Sequence, residues 1–528
     1  MAFNSYVYVL FLIAAVIIYY CLPKKIRWIE LLCVNIIYYL ISGLQYSLFF
    51  VFSIVTVYIA GRFITLQDQK FDMITQNLTR EEQKEKKKAF AKYKKRIVVL
   101  TILLNLGILI FRKYFLFVLF NINRVFALLH ISIQIPQISF ALPLGISFYT
   151  LQAVGYLIDV GRGQYKAEKN FAKFVLFMTF FPHIIEGPIC RYSQTASSLA
   201  EGHEFSKENF LFGIQRIGWG LFKKIVIADR LDILVNHIYA NYKEYSGTLI
   251  IVVAVAYTTQ LYAEFSGCMD IVIGSAQLFG ITLPENFEHP FASKSIQEYW
   301  RRWHITLGKW FKDYVFYPVS LSAFSKKIAR KLKSRYNNYL VKLTSTFIAL
   351  FVVWTLTGMW HGGSFRYLLY GWYYFFIIAA GLVIEPFVIQ IREHFHIQEH
   401  SIIYVCFQRS RTFILIVIGL MIFRATTVTQ FVNMFSSIFN GLTISVFFDG
   451  TMLKLGLDKM DFYLLFASVF LMIAVGTLQT RGIKIRQFVA NQAIYIRWPI
   501  YYALIMSIIV FGAYGKGYTP VAFIYANF

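Results

Sequence analysis

The sequence predicts an all-α polytopic membrane protein with roughly 11–14 transmembrane helices, plus re-entrant or interfacial helices. Three observations carry this. The 528 residues are 58% hydrophobic and 15% charged, against roughly 25% charged in soluble domains. Apolar runs recur from end to end. Between them lie short loops rich in Lys and Arg, the pattern of cytoplasmic loops.

The apolar runs fall at about 6–22, 29–42, 46–60, 97–111, 114–129, 140–158, 171–185, 210–228, 248–263, 268–283, 341–360, 367–384, 412–424, 461–477 and 496–514. The stretch 429–448 is weaker. The first run has no preceding Lys or Arg and no A-x-A site. It reads as a retained first helix, since a signal peptide carries a basic n-region. Lys24, Lys25 and Arg27 follow it. Two runs later, 61–97 is a basic insert in which eleven Lys or Arg stand against five Asp or Glu. Residues 80–96 are expected to form a solvated basic helix. An even number of spans separates these two basic loops, so both can be cytoplasmic with the N-terminus outside. The segment 295–342 ends in another basic stretch, on the same side, and 391–528 supplies C-terminal helices. With no internal repeat evident, 1–528 is read as a single membrane domain.

The net charge of +25 suits anionic lipid head groups. No nucleic-acid motif accompanies it, so no nucleic-acid partner is expected. The five cysteines (Cys21, Cys33, Cys190, Cys268 and Cys406) lack CxxC spacing and read as small buried hydrophobes. Neither they nor the ten histidines show metal-ligand spacing, and no metal is expected.

Two segments carry chemistry. In SIQEYWRRWHITLGKWFKDYVFYPV (295–319), Ile296, Trp300, Trp303, Leu307, Trp310 and Tyr314 are spaced 4, 3, 4, 3, 4, one stripe of an α-helix. Arg301, Arg302, Lys309 and Lys312 form the other face, as in an interfacial amphipathic helix. His304 lies off that basic face, one turn from Trp300 and Gly308. Cations beside a histidine suit an anionic substrate with a reactive end, and coenzyme A fits because its phosphates take cations.

The second segment is TGMWHGGSFRY, where His361 sits between two apolar runs among Gly358, Gly362 and Gly363. Intramembrane ionisable groups are functional candidates, and imidazole suits a base near neutral pH. A buried packing histidine is the alternative reading. At 1.5 Å per residue His361 lies about 28 Å beyond Lys342, near the far face. For His304 and His361 to share a substrate, either a tunnel connects them or one segment is re-entrant.

Motifs along most of the chain resemble the membrane-bound O-acyltransferases (MBOAT), and the bacterial alginate O-acetyltransferase branch most of all. They are LPLGISFYTLQAVGYLIDVGRG (142–163), FFPHIIEGPICRY (180–192), GLFKKIVIADRL (220–231), the stretch 261–319 from LYAEFSGCMD to FYPV, and TGMWHG (357–362). The opening MAFNSYVYVLFL and the closing FIYANF fit as well. The chain departs from the family pattern at His183, Glu186, Ala263, Glu264 and Cys268, which touches the substrate and not the family.

The resemblance implies an MBOAT fold with two funnels meeting at a central tunnel. It implies an O-acetyltransferase moving acetyl from cytoplasmic acetyl-CoA through a bacterial-type inner membrane onto an extracytoplasmic polysaccharide. An SGNH-type partner would finish the transfer. His361 maps onto the family's invariant histidine and His304 onto its second one; His361 would act as general base or as acetyl relay. Arg301, Arg302, Trp303, Lys309 and Lys312 would bind the donor. Trp360, Trp300, His183, Glu186 and Glu264 would line the tunnel. D-alanyl transfer to teichoic acid is the related alternative, and a polysaccharide or lipid transporter the alternative from another class. A scaffold that only holds a partner is a third reading.

Overall fold

The computed structural model describes residues 2–43, 47–76, 78–136, 145–184, 186–333 and 338–514. The closing FIYANF, and the LPL that opens the 142–163 motif, lie outside the described residues. The chain divides into two compact units. One runs to Ile214 and takes in Val272–Pro284; the other takes in Gln215–Ile271 and the chain from Glu285.

In the first unit, α1 (Tyr6–Cys21) packs on α2 (Arg27–Gly43). Then come α3 (Ser47–Thr75) and α4 (Arg80–Leu128). The shorter helices are α5 (Ile146–Gly161), α6 (Phe171–Thr179) and α7 (Tyr192–Glu201). α4 has 49 residues, about 74 Å of helix against roughly 30 Å of hydrocarbon. Its first turns and the end of α3 are therefore the basic insert itself, folded as a helical hairpin. A Thr79–Glu82 capping box starts α4. Phe71 stacks on Phe90 at 4.5 Å, and Lys94 pairs with Asp68 at 2.8 Å. The expected helix over 80–96 is present.

The unit boundaries fall within α8 (Lys207–Leu221) and α10 (Thr248–Leu278). Between them the second unit holds a π-helical stretch, Phe222–Ala228, and α9 (Asp229–Ala240). α11 (Ile296–Arg302), α12 (Ile305–Phe311), a π-helical turn over Lys312–Phe316, α13 (Tyr317–Ser320) and α14 (Ala323–Leu332) come next. The long α15 (Asn338–His361), α16 (Phe365–His394) and α17 (Ile402–Arg424) follow. α18 (Val428–Ser437), α19 (Lys459–Thr480), α20 (Ile485–Ala490) and α21 (Ile494–Phe511) complete it.

Among the described residues, eight helices are long and apolar enough to cross a membrane. That is fewer than the apolar runs suggested. The runs at 140–158 and 171–185 fold instead as short, largely interior helices, and 210–228 divides between the part-exposed α8 and the buried π-helical stretch. α5 is buried almost throughout, and α6 stops at Thr179 before a buried turn that begins Phe180-Phe181-Pro182. An apolar run that packs inside protein looks in sequence like one that faces lipid. Cys190 and Cys268 are buried as expected; Cys21, Cys33 and Cys406 are exposed on helix faces.

The π-helical stretch carries two buried lysines. Lys224 is fully buried between Asp229 at 2.8 Å and Glu264 at 2.9 Å. Lys223 reaches Asp270 at 2.6 Å. A buried charge of this kind persists only when paired. α19 and α21 both pack on this stretch. Just beyond it, Arg230 holds both helices, donating to Asp461 Oδ1 at 2.7 Å and to the Phe511 carbonyl at 3.1 Å.

Candidate active site

The apolar stripe of 295–319, read as the face of an interfacial helix, is buried in the protein: Ile296, Trp303, Leu307, Trp310 and Tyr314 are all in the core. The predicted single helix is not formed. α11 ends at Arg302, Trp303 is extended and makes an antiparallel bridge to Phe287, and α12 begins after His304. His304 itself takes φ 47°, in the left-handed region. A non-glycine residue there costs energy and occurs where the surroundings over-determine it. Asn286 supplies that constraint. Its Oδ1 accepts from the Thr306 N–H at 3.0 Å and the Thr306 hydroxyl at 2.9 Å, and lies 3.3 Å from His304 Nδ1.

The break lets the segment dip into the protein. Arg411, inside α17, donates to the Lys294 carbonyl at 3.0 Å. Trp300 packs on Trp354 of α15 and Tyr374 of α16, each at 4.8 Å between ring centroids. His304 ends 5.8 Å from the ring of Trp360 and 4.9 Å from that of Phe265. The break thus brings His304 beside Trp360 at the end of α15.

His361 is the last residue of α15, and the chain turns through Gly362 to Ser364, the N-cap of α16. Two glycines let the two helices meet backbone to backbone. A Cβ on Gly358 would press on the Tyr367 carbonyl, and one on Gly371 on the Trp354 carbonyl. This brings Tyr367 and Tyr370 to 6.1 and 5.6 Å from the His361 ring, with Phe423 of α17 at 4.9 Å. Trp360 stands between the two histidines, 4.9 Å from His361. Both imidazoles are nearly inaccessible, at 3% for His304 and 4% for His361. The site is thus a pair of buried imidazoles joined by one indole inside an aromatic wall.

His304 lies outside the eight long apolar helices, and burial pushes its imidazole down to about 3. It is neutral at pH 7, so it can accept or donate one hydrogen bond and offers no cation.

The other predicted residues divide. Arg301 on α11, Lys309 on α12 and Lys312 at the start of the π-helical turn are exposed. Arg302 is half-buried and pairs with Glu298 at 2.8 Å. Trp303 is buried in a ring cluster, 5.0 Å from Phe287 and 5.5 Å from Tyr299. Glu264 is committed to Lys224. His183 and Glu186 belong to the first unit and share a buried turn after α6, closed by a bond from the Gly187 N–H to the His183 carbonyl at 2.9 Å. Asn286 escaped the sequence reading. It lies 18 residues from His304, and no periodicity links the two before the Phe287–Trp303 bridge is known.

The all-helical membrane architecture, with a histidine pair on the broken 295–319 segment and a glycine-packed helix end, is consistent with the membrane-bound O-acyltransferase family. Residues 163–334 match the model described as "MBOAT, membrane-bound O-acyltransferase family". That segment contains His304 and stops short of His361. Among curated proteins the chain is similar to a "Probable alginate O-acetylase AlgI" of Pseudomonas syringae pv. tomato, at 31% identity over 65% of this chain and 61% of the relative. The protein of that name from Pseudomonas aeruginosa is 32% identical over 65% of this chain and 60% of the relative. A "Teichoic acid D-alanyltransferase" of Bacillus subtilis is 30% identical over 44% of this chain and 56% of its own. The chain thus matches about three fifths of the length of the first relatives.

Proposed function

We propose that the protein is a membrane O-acetyltransferase that takes acetyl from cytoplasmic acetyl-CoA and passes it to a hydroxyl on the far side, for O-acetylation of an extracytoplasmic polysaccharide with a partner protein. The observation that carries this reading is the pair of buried imidazoles either side of Trp360. A scaffold has no use for two buried imidazoles enclosed by aromatic rings. The longer match to the alginate O-acetylases favours acetyl over D-alanyl as the group moved.

The basic stretch 325–333 precedes α15 and His361 ends it, which supports a donor entering from the basic side and an acceptor from the other. With Lys and Arg loops cytoplasmic, the N-terminus is outside in a bacterial inner membrane. Arg301, Lys309 and Lys312 are exposed where the donor's phosphates would arrive.

In this reading His361 takes the proton of the acceptor hydroxyl. The oxygen forms a bond to the thioester carbonyl carbon, the carbon–sulfur bond breaks, and the imidazolium returns the proton to the leaving thiolate. His304, neutral and held by Asn286, orients the thioester. General-base assistance contributes typically 10²–10⁴-fold, so His361→Ala is expected to lower transfer of labelled acetyl by at least about 100-fold while the protein stays monodisperse. Full transfer by that variant would remove His361 from the chemistry. Labelled acetyl trapped on acid-quenched wild-type protein and absent from His361→Ala would replace the base role with a covalent relay.

A further inference from the structure

The second unit contains a cavity of about 950 Å³ that does not include either histidine. It is at the upper end of the roughly 300–1,000 Å³ of small-molecule sites. Its two halves differ in chemistry. One wall is apolar and comes from two membrane-length helices: Leu471, Met472 and Val475 of α19, and Ile500, Ala503 and Leu504 of α21. Leu471 and Ile500, which line the cavity, are 46% and 44% exposed, so its apolar wall is accessible from outside the protein.

The other half is charged. Arg216 donates to Asp270 at 2.9 Å and to both oxygens of Glu285 at 2.7 and 2.6 Å. Lys223 reaches Asp270 at 2.6 Å and the Ser266 hydroxyl at 2.8 Å. Arg486 of α20 and Glu288 complete the charged lining. Three cations thus face three carboxylates. Arg216 and Asp270 are 13% and 15% exposed and Lys223 is 6% exposed, so these charges are fixed in place and poorly screened.

We propose that this cavity binds a zwitterionic membrane phospholipid, with its head group among Arg216, Arg486, Glu285 and Glu288 and an acyl chain between α19 and α21. The balance of charge decides the class. A polyanion such as a nucleotide donor would meet three carboxylates at close range, and like charges repel. A phosphate joined to an ammonium meets opposite charge at both ends, Arg216 and Arg486 for the one and Glu285 and Glu288 for the other. The apolar wall, carried by two helices of membrane length, supplies a surface for an acyl chain. The lipid would fill the space between α19 and α21, which rest on the charged Phe222–Ala228 stretch.

The test is native mass spectrometry of the full chain in detergent with equal amounts of dioleoyl phosphatidylethanolamine or dioleoyl phosphatidylglycerol added. Wild type should retain the ethanolamine lipid preferentially. Ala503→Trp, which puts an indole into the apolar half from an exposed helix position, should lower its retention about tenfold, the loss of about 1.4 kcal/mol. Glu285→Gln leaves a surplus of positive charge and should shift the preference toward phosphatidylglycerol. Both variants are compared after confirming monodisperse elution. Equal retention of the two lipids by wild type, undiminished retention by Ala503→Trp, or displacement of the lipid by acetyl-CoA would each overturn the proposal, the last by giving the cavity to the donor.

Discussion

Asn286 and His304 show how one polar side chain holds a buried turn. Replacing Asn286 with Ala leaves the Thr306 N–H and hydroxyl without their buried acceptor, an expected cost of about 1–3 kcal/mol. It also frees His304 to leave its left-handed backbone. Acetyl transfer should fall through kcat more than through the donor KM, measured beside a thermal-unfolding curve; an unchanged kcat would deny His304 an orienting role. Burial holds the His304 imidazole near 3 when folded, against about 6.5 unfolded. Below pH 6.5 the unfolded chain binds the extra proton and the folded one does not. His304 therefore subtracts stability progressively as pH falls from 6.5 toward 3, and none above that window. His304→Gln should flatten this part of the stability–pH curve.

At the scale of elements, two junctions carry the site. The α15–α16 junction depends on Gly358 and Gly371, where a side chain would push on facing carbonyls. Gly371→Ala should cost about 1–3 kcal/mol by overpacking and lower transfer by moving Tyr370 and Trp354, as read from paired stability and activity assays. The second junction is the Lys224 triad. Lys224→Met leaves Asp229 and Glu264 buried without their cation, an expected loss of about 3–5 kcal/mol, seen as a lower unfolding midpoint in detergent. The histidine-bearing segments were legible in sequence because each juxtaposes an ionisable residue with a regular apolar pattern. The break at His304 was not. The 4, 3, 4, 3, 4 spacing survives as a buried stripe, but the left-handed turn comes from Asn286, a contact made only in the folded chain.

For the whole molecule, the all-helical membrane class followed from composition and run length, and the structure agrees. Which apolar runs form membrane-length helices did not follow, because burial inside protein and burial in lipid select the same side chains. α5 and α6 are apolar for the first reason, α19 and α21 largely for the second. Orientation is testable within the second unit. α15, α16 and α17 separate Lys327 from Asn440, and both residues are exposed. In a cysteine-free background, Lys327→Cys should react with a membrane-impermeant maleimide only in inside-out vesicles, and Asn440→Cys only in right-side-out ones.

The central claim is that His361 activates the group that receives acetyl. Its most direct measurement is transfer of radiolabelled acetyl from acetyl-CoA to extracytoplasmic polysaccharide, in membranes holding equal amounts of wild-type protein or His361→Ala. Loss of at least about 100-fold in the variant, with its unfolding midpoint retained, is the predicted result. Equal transfer by the two proteins would contradict it.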